Sequence, residues 1–284
     1  MKGRQWVWGS VALAMAGLAM AAGPGAARKR AEASMVITGD IAVAPDGHVT
    51  GYTLDKQEKI PEGIATLIGR SAPRWRFRPV ERDGQAVAAR AHMSLRIVAK
   101  RESPESDAYV ARIAGASFGE DNGDTERLTY AERSPPAYPM NAASAGVFGT
   151  VYLVLRVGHD GKVQDAAVEQ VNLGVAASDN DMKVWRKVLA MPALHAARSW
   201  TFHPPTQGVH ANDPTYVARV PVSYQLSRGA RPDDAYGTWQ AYVPGPKEPV
   251  TWLKDDGSTA DALPDDGLYL VNSGLTLTTP IENG

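Results

Sequence analysis

The 284-residue chain has no cysteine. No disulfide can staple it and no thiolate can act as nucleophile or soft metal ligand, so its cores must hold by packing. Neither sign of charge dominates: 30 Lys and Arg stand against 31 Asp and Glu, a formal net charge of −1. That balance excludes the basic footprint of a nucleic-acid binder. Phenylalanine occurs only 4 times, so a recurring pattern that contains it is informative. Long apolar runs are also scarce. The one that stands out is Trp6 to Ala22, with Lys2 and Arg4 before it and small residues at Ala19-Met20-Ala21 and Gly25-Ala26-Ala27. It is at the lower edge of spanning length and rich in Ala and Gly, which contribute little insertion energy. Residues 1–27 therefore read as a signal peptide, with an inner-membrane anchor over residues 6–22 as the alternative. Removing residues 1–27 takes away Lys2 and Arg4 and no acid, which turns −1 into −3. An exported chain without cysteine fits a bacterial envelope protein better than a small secreted scaffold.

What the chain does have is an internal echo. Arg74-Trp-Arg-Phe-Arg-Pro79 returns as Ser199-Trp-Thr-Phe-His-Pro204. Upstream, the Asp46-Gly47 turn answers Asp160-Gly161. Downstream, Ala88 to Ile97 answers Val217 to Leu226. Two divergent copies of one unit are expected, at residues 34–100 and 132–227, joined by a linker at 101–131 in which Ala108 to Ile113 can make one short element. In the first, residues 35–44 and 48–54 read as a hairpin around Asp46-Gly47. Pro61 opens a helix with Ile64, Leu67 and Ile68 as its stripe, and 88–99 is the closing strand. In the second, Gly149 to Val157 is the clearest strand, turned at Asp160-Gly161 into 162–171. Asp179 or Asp181 caps a helix carrying Met182, Trp185, Val188 and Leu189. Pro192 is expected to break or kink it, and Thr215 to Leu226 is the last strand. Residues 228–284 carry nine acids, four bases and six prolines and read as an acidic, extended tail. Its patches 267–271 and 274–278 are candidates for a small hairpin.

The order Pro136-Ala-Tyr138-Pro139, Gly149-Thr-Val151, Asp160-Gly161-Lys-Val163, Ala196-Ala-Arg198-Ser-Trp200-Thr-Phe202-His-Pro204 and Val220-Pro221-Val222-Ser-Tyr224 resembles the C-terminal domain of TonB. The resemblance covers residues 133–226, and residues 34–100 look like a worn copy without the Tyr-Pro lead-in. It implies an α+β fold: two TonB-C-like units, each a small antiparallel three-stranded sheet packed with one or two helices. It also implies a periplasmic module, not an enzyme and without a cofactor, that pairs by strand addition with a TonB box-like segment of an outer-membrane receptor. The residues it points to are Tyr138, Pro139, Tyr216, Val217, Ala218, Arg219, Val220, Val222 and Tyr224, with ExbB and ExbD as further partners if the chain is anchored. Strand addition suits the last strand, where main-chain hydrogen bonds supply affinity and side chains supply specificity. Pro221 inside that strand predicts an edge position with its nitrogen turned outwards. The Tyr138-Pro139 pair also reads simply as a fixed turn into the sheet.

Other motifs have plainer explanations. Gly115-Ala-Ser117-Phe-Gly119 matches the G-x-S-x-G nucleophile elbow of a hydrolase, but that elbow needs a strand before it and a helix after it. Glu120 to Asp124 does not start a helix, so chance is the better reading. His48, His92, His159, His195, His203 and His210 form no ligand spacing on one helix face, and no metal is expected. Trp75 and Trp200 read as core anchors, and Arg74, Arg76 and Arg78 as a solvated strand face that can meet an acidic partner.

Overall fold

The structure is a computed structural model that describes residues 32–281, apart from 83, 103–108, 121–124, 227–235, 255–257 and 266. The expected signal peptide or anchor therefore lies outside the described residues. The fold is α+β and mostly antiparallel sheet. In the first half, β1 (Glu32–Val43) alternates Met35, Ile37, Ile41 and Val43 into a core, and Asp46-Gly47 turns it into β2 (Val49–Leu54). Helix α1 (Glu62–Ser71) buries Ile64, Leu67 and Ile68, the stripe that the spacing predicts. A short hairpin of β3 (Val80–Arg82) and β4 (Gln85–Val87) leads to β5 (Ala89–Arg101).

The segment expected to be a linker contains a 12-residue strand, β6 (Tyr109–Glu120), paired with β5 from Ala91↔Glu120 to Arg101↔Tyr109. Its alternating Tyr109, Ala111 and Ile113, followed by Ala116 and Phe118, bury into the first core. The short element expected at 108–113 is thus the first half of this strand, and the flanking polar stretches hid the rest. In the second half, β7 (Thr129–Glu132) and α2 (Met140–Ser144) precede β8 (Gly149–Gly158) and β9 (Val163–Leu173). Helix α3 (Asp179–Ala197) is capped by Ser178, whose hydroxyl accepts from the Asp181 N–H, rather than by an aspartate. Pro192 lies inside this one continuous helix. Met182 and Leu189 on one side of it and Ala193 and Ala197 on the other bury along the sheet, so packing holds the helix across the missing donor. β10 (Thr201–His203) pairs with β7, and β11 (Thr215–Tyr224) runs antiparallel to β8 along its whole length.

Two sheets result. The first has the order β12-β1-β5-β6, with β2 also on β1; the second has the order β13-β11-β8-β9. Each holds more strands than the three expected, because β6 adds to the first and the chain beyond Tyr224 joins both. β12 (Gln240–Tyr242) pairs with Glu32–Ser34 of β1, and the next residue, Val243, bridges to Leu173 of β9. A turn at Ala260–Ala262 packs between β5 and β6 of one sheet and β9 and β11 of the other. β13 (Tyr269–Leu270) pairs with β11. Finally, Arg78 N–H donates to Thr276 O at 2.9 Å and Thr278 N–H to Arg76 O at 2.8 Å. The expected hairpin of 267–271 with 274–278 is therefore not formed: the first patch pairs with β11 of the second half and the second with the Arg76–Arg78 segment of the first.

The two halves use one turn geometry. Phe77 N–H donates to Gly47 O at 2.8 Å, and Phe202 N–H donates to Gly161 O at 2.8 Å. Gly47 and Gly161 have φ of 82° and 76°, and a Cβ on either would lie 2.0 or 2.1 Å from the carbonyl oxygen of Phe77 or Phe202. Both the dihedral and the close approach demand glycine. Around these turns sit the aromatic anchors: Trp75 and Phe77 edge-on to Phe118, and Trp200 and Phe202 against Tyr130. Trp200 Nε1 donates to Ser134 O at 2.8 Å, and among the described residues Trp75 Nε1 has no acceptor.

Gly146 separates the two penalties, since it has φ 69° with nothing within 4 Å of a built Cβ. Gly146→Ala should cost about 1 kcal/mol, the left-handed penalty alone. Gly161→Ala should cost at least twice that, because the β10 backbone must also move. Urea unfolding of the two variants measures the difference, and equal losses would refute the contact.

Candidate functional site

The candidate site is the outer edge of β11. In an antiparallel ladder the N–H and C=O of one residue point to the same side, and the side alternates along the strand. Val271 N–H donates to Val217 O at 2.8 Å from outside the β8–β11 pair. Residues 217, 219, 221 and 223 therefore direct their backbone outwards, and 216, 218, 220, 222 and 224 direct theirs to β8. Pro221, which has no N–H, falls in the outward set, so it removes nothing from the β8 ladder. On this outer side the β13 ladder consists of Ala218↔Leu270 and Arg219↔Tyr269. Among the described residues no strand pairs with Val220–Tyr224 there.

The expected site residues divide into three groups. Tyr216, Ala218, Val220, Val222 and Tyr224 turn their side chains into the second core. Tyr138 joins them: its ring meets Tyr224 edge-on at 5.3 Å, and its hydroxyl donates to Val147 O at 2.7 Å. Pro139 caps α2 next to it. The Tyr-Pro pair thus sits at the end of β11 where the outer edge is open. Val217 offers its carbonyl to the chain's own tail. Arg219 does not offer its side chain to a partner strand: it is 2% exposed, its Nε donates to Glu169 Oε2 at 2.8 Å, and its Nη1 donates to Ser258 Oγ at 2.6 Å.

That ion pair belongs to a buried polar seam between the sheets. Arg96 donates to Asp261 O at 2.6 Å, to Ser34 Oγ at 2.9 Å and to Tyr152 Oη at 3.2 Å, and lies over the Tyr242 ring at 5.2 Å. Burial works against its charge, but Tyr152, Asp261 and Tyr242 more than offset this and keep it cationic. Tyr242 donates to the Asp261 carboxylate, which also accepts from Gln170 Nε2 at 3.4 Å. Ser94 donates to Ala262 O. Sequence reasoning missed Arg96, Glu169, Tyr242 and Asp261. For Arg96 and Glu169 the signal was a charge inside an otherwise apolar strand, as in Leu95-Arg96-Ile97 and Val168-Glu169-Gln170-Val171, since such a charge needs a buried partner.

Ser117 sits in the middle of β6 opposite Ser94, with no turn into a helix. Gly115 of the same motif is explained by the tail, because a Cβ there would lie 2.9 Å from Thr259. Among the described residues no group of three or more His, Asp or Glu is placed to hold a metal ion. No described helix is long and apolar enough to cross a membrane. Arg76 and Arg78 meet the tail through their backbones, at Thr276 and Thr278.

The chain is 31% identical over 107 residues to Protein TonB of Xanthomonas campestris pv. campestris, in strain B100 and in strain ATCC 33913. The similarity covers 38% of this chain and 42% of each of those proteins. It supports a TonB-like relationship over that stretch, and the chain spans less than half the length of those relatives. No protein-family profile matches the chain, and no solved structure does.

The seam makes stability pH-dependent. Burial raises the Tyr152 phenol above the ordinary tyrosine range, and burial reinforced by Asp261 does the same for Tyr242. The folded chain therefore keeps protons that the unfolded chain releases near pH 10. This contribution is complete below about pH 10 and is lost as pH rises beyond it. The urea midpoint should fall between about pH 9 and pH 11, and Tyr242→Phe should be weaker at pH 7 but show a smaller alkaline fall. Parallel falls in both proteins would count against this account.

Proposed function

We propose that the chain is an exported, non-enzymatic TonB-like module that takes an extended segment of an outer-membrane receptor as an added strand on β11. The observation that carries this reading is that the outward backbone groups of Pro221 and Ser223, beside Tyr138 and Pro139, meet no strand among the described residues. An incoming strand finds main-chain groups there that are not already spent on β8, and Pro221 limits non-specific pairing along the same edge. In this reading residues 34–100 and 132–227 are divergent copies of one unit. The matched Gly47 and Gly161 turns favour it. So do the matched strand orders, β2-β1-β5-β6 and β9-β8-β11-β13. The first copy is closed by β6 and serves as scaffold, and the second is the receptive one.

Peptides copied from the extended segments of outer-membrane receptors should shift the amide resonances of Val220, Val222, Ser223 and Tyr224 at millimolar concentration. Ser223→Pro removes an outward N–H and leaves the β8 ladder whole, so it should weaken the peptides several-fold with little change in melting temperature. Unmoved β11 resonances with every peptide would sink the proposal.

The uncharged run of residues 6–22 favours a second reading, an inner-membrane-anchored transducer working with ExbB and ExbD. Intact mass and membrane fractionation in a Gram-negative host separate the two. Loss of about 27 residues and a soluble periplasmic product supports the module, and an uncleaved product in the inner membrane supports the transducer.

A further inference from the structure

We propose that β13 is a resident stand-in for the partner strand. The segment that β11 accepts is then antiparallel to it, with aliphatic side chains at alternate positions, and gains the edge by displacing residues 268–271. This rests on the reading of β11 as the acceptor edge. Leu268 and Leu270 pack against the second core, while Tyr269 between them turns the other way and donates to Pro264 O at 3.1 Å. Leu270 lies opposite Ala218, whose side chain points into the same core. The register Val271–Val217, Leu270–Ala218, Tyr269–Arg219 runs antiparallel, so a longer strand in the same register continues over Val220–Tyr224, where β13 stops.

The stand-in is held lightly. It has two ladder pairs, against the eleven with which β6 closes the first sheet. A cavity of about 330 Å³ opens beneath it, lined in part by Ser117, Phe118, Arg219, Leu268 and Leu275. The chain on its far side is fastened elsewhere: Leu275 N–H donates to Phe118 O at 3.0 Å, and Thr276 and Thr278 pair with Arg78 and Arg76. The strand can leave while both flanks stay in place, and Asn272 with φ 63° and Gly274 with φ 91° lie between it and that anchor.

The cysteine-free chain permits a clean lock. Ala218 and Leu270 form a directly opposed pair whose backbone groups point away from each other, the arrangement with the shorter Cα separation and within reach of a disulfide. In the full chain carrying Ala218→Cys and Leu270→Cys, oxidation should fix β13 in place. The probe is a labelled synthetic peptide of residues 267–275, Gly-Leu-Tyr-Leu-Val-Asn-Ser-Gly-Leu, followed by fluorescence anisotropy. The reduced protein should take up the peptide at least tenfold more tightly than the oxidised protein, and reductant should restore uptake. Val271→Pro, which removes the N–H given to Val217 and introduces no cysteine, should take it up more tightly than the unmodified chain. Equal uptake in both redox states, no disulfide, or no gain in Val271→Pro would each overturn the proposal. Receptor peptides that fail at β11 while the 267–275 peptide obeys the lock would count against the proposed function and leave the stand-in standing.

Discussion

The backbone groups along a sheet edge are the constraint from which the rest of this structure follows. A sheet of three antiparallel strands under a helix has a core, but its outer strand carries a row of N–H and C=O groups that must find partners or water. In the first half β5 would be that strand, and β6 closes it from Ala91 to Arg101. In the second half β11 is that strand, and among the described residues only Val217 to Arg219 have their outer backbone paired with the tail. Two halves with the same turn and the same strand order thus differ in how far one edge is closed. On the proposed reading the closed half is the scaffold and the other is the acceptor.

The tail that closes these edges is held by charge as well as by ladders. Arg96 and the Arg219–Glu169 pair are taken out of water, which is costly unless every donor finds an acceptor. The acceptors come largely from the tail: Asp261 O for Arg96, Ala262 O for Ser94 and Ser258 Oγ for Arg219. The tail at 258–262 is therefore bound to the existence of the seam, since its departure would strand buried charges. Residues 268–271 are held to β11 by the short β13 ladder. The same polypeptide segment is thus firmly wedged at one end and exchangeable a few residues later.

The sequence showed the parts of this arrangement that repeat or alternate over short distances. Both Asp-Gly turns, the α1 stripe, the β8 alternation and the outward placement of Pro221 were legible, because each depends on neighbours within a few residues. β6 was legible only at its start, as a short element over 108–113, since polar stretches on both sides make 101–131 look like a linker, and its Gly115 and Gly119 read as loop residues. Gly115 is there because Thr259, far away in sequence, packs against it. The tail was read as extended, and much of it is, but its acidic and proline-rich composition does not reveal that it pairs with β1, β11 and the Arg76–Arg78 backbone. Arg219 shows the same limit at the site: its alternation is visible, but Glu169, fifty residues earlier, decides that its side chain is buried rather than offered.

The Trp-x-Phe segments connect these observations. In the second half, β10 is flanked by β7 and by the lead-in through Ser134, whose carbonyl accepts the Trp200 indole. Among the described residues the first half shows no such lead-in, and its equivalent segment is paired instead by Thr276–Thr278 from the tail. The C-terminus thereby completes the half that lacks a strand, and on the way it crosses the open edge of the half that lacks a cover. A loop that must reach from Asp261 to Arg76 passes β11 at little extra entropic cost, because both ends are already fixed. The light pairing of β13 is then what a tethered crossing strand can supply: enough to shield an exposed edge, and too little to hold it against a longer strand that continues over Val220–Tyr224.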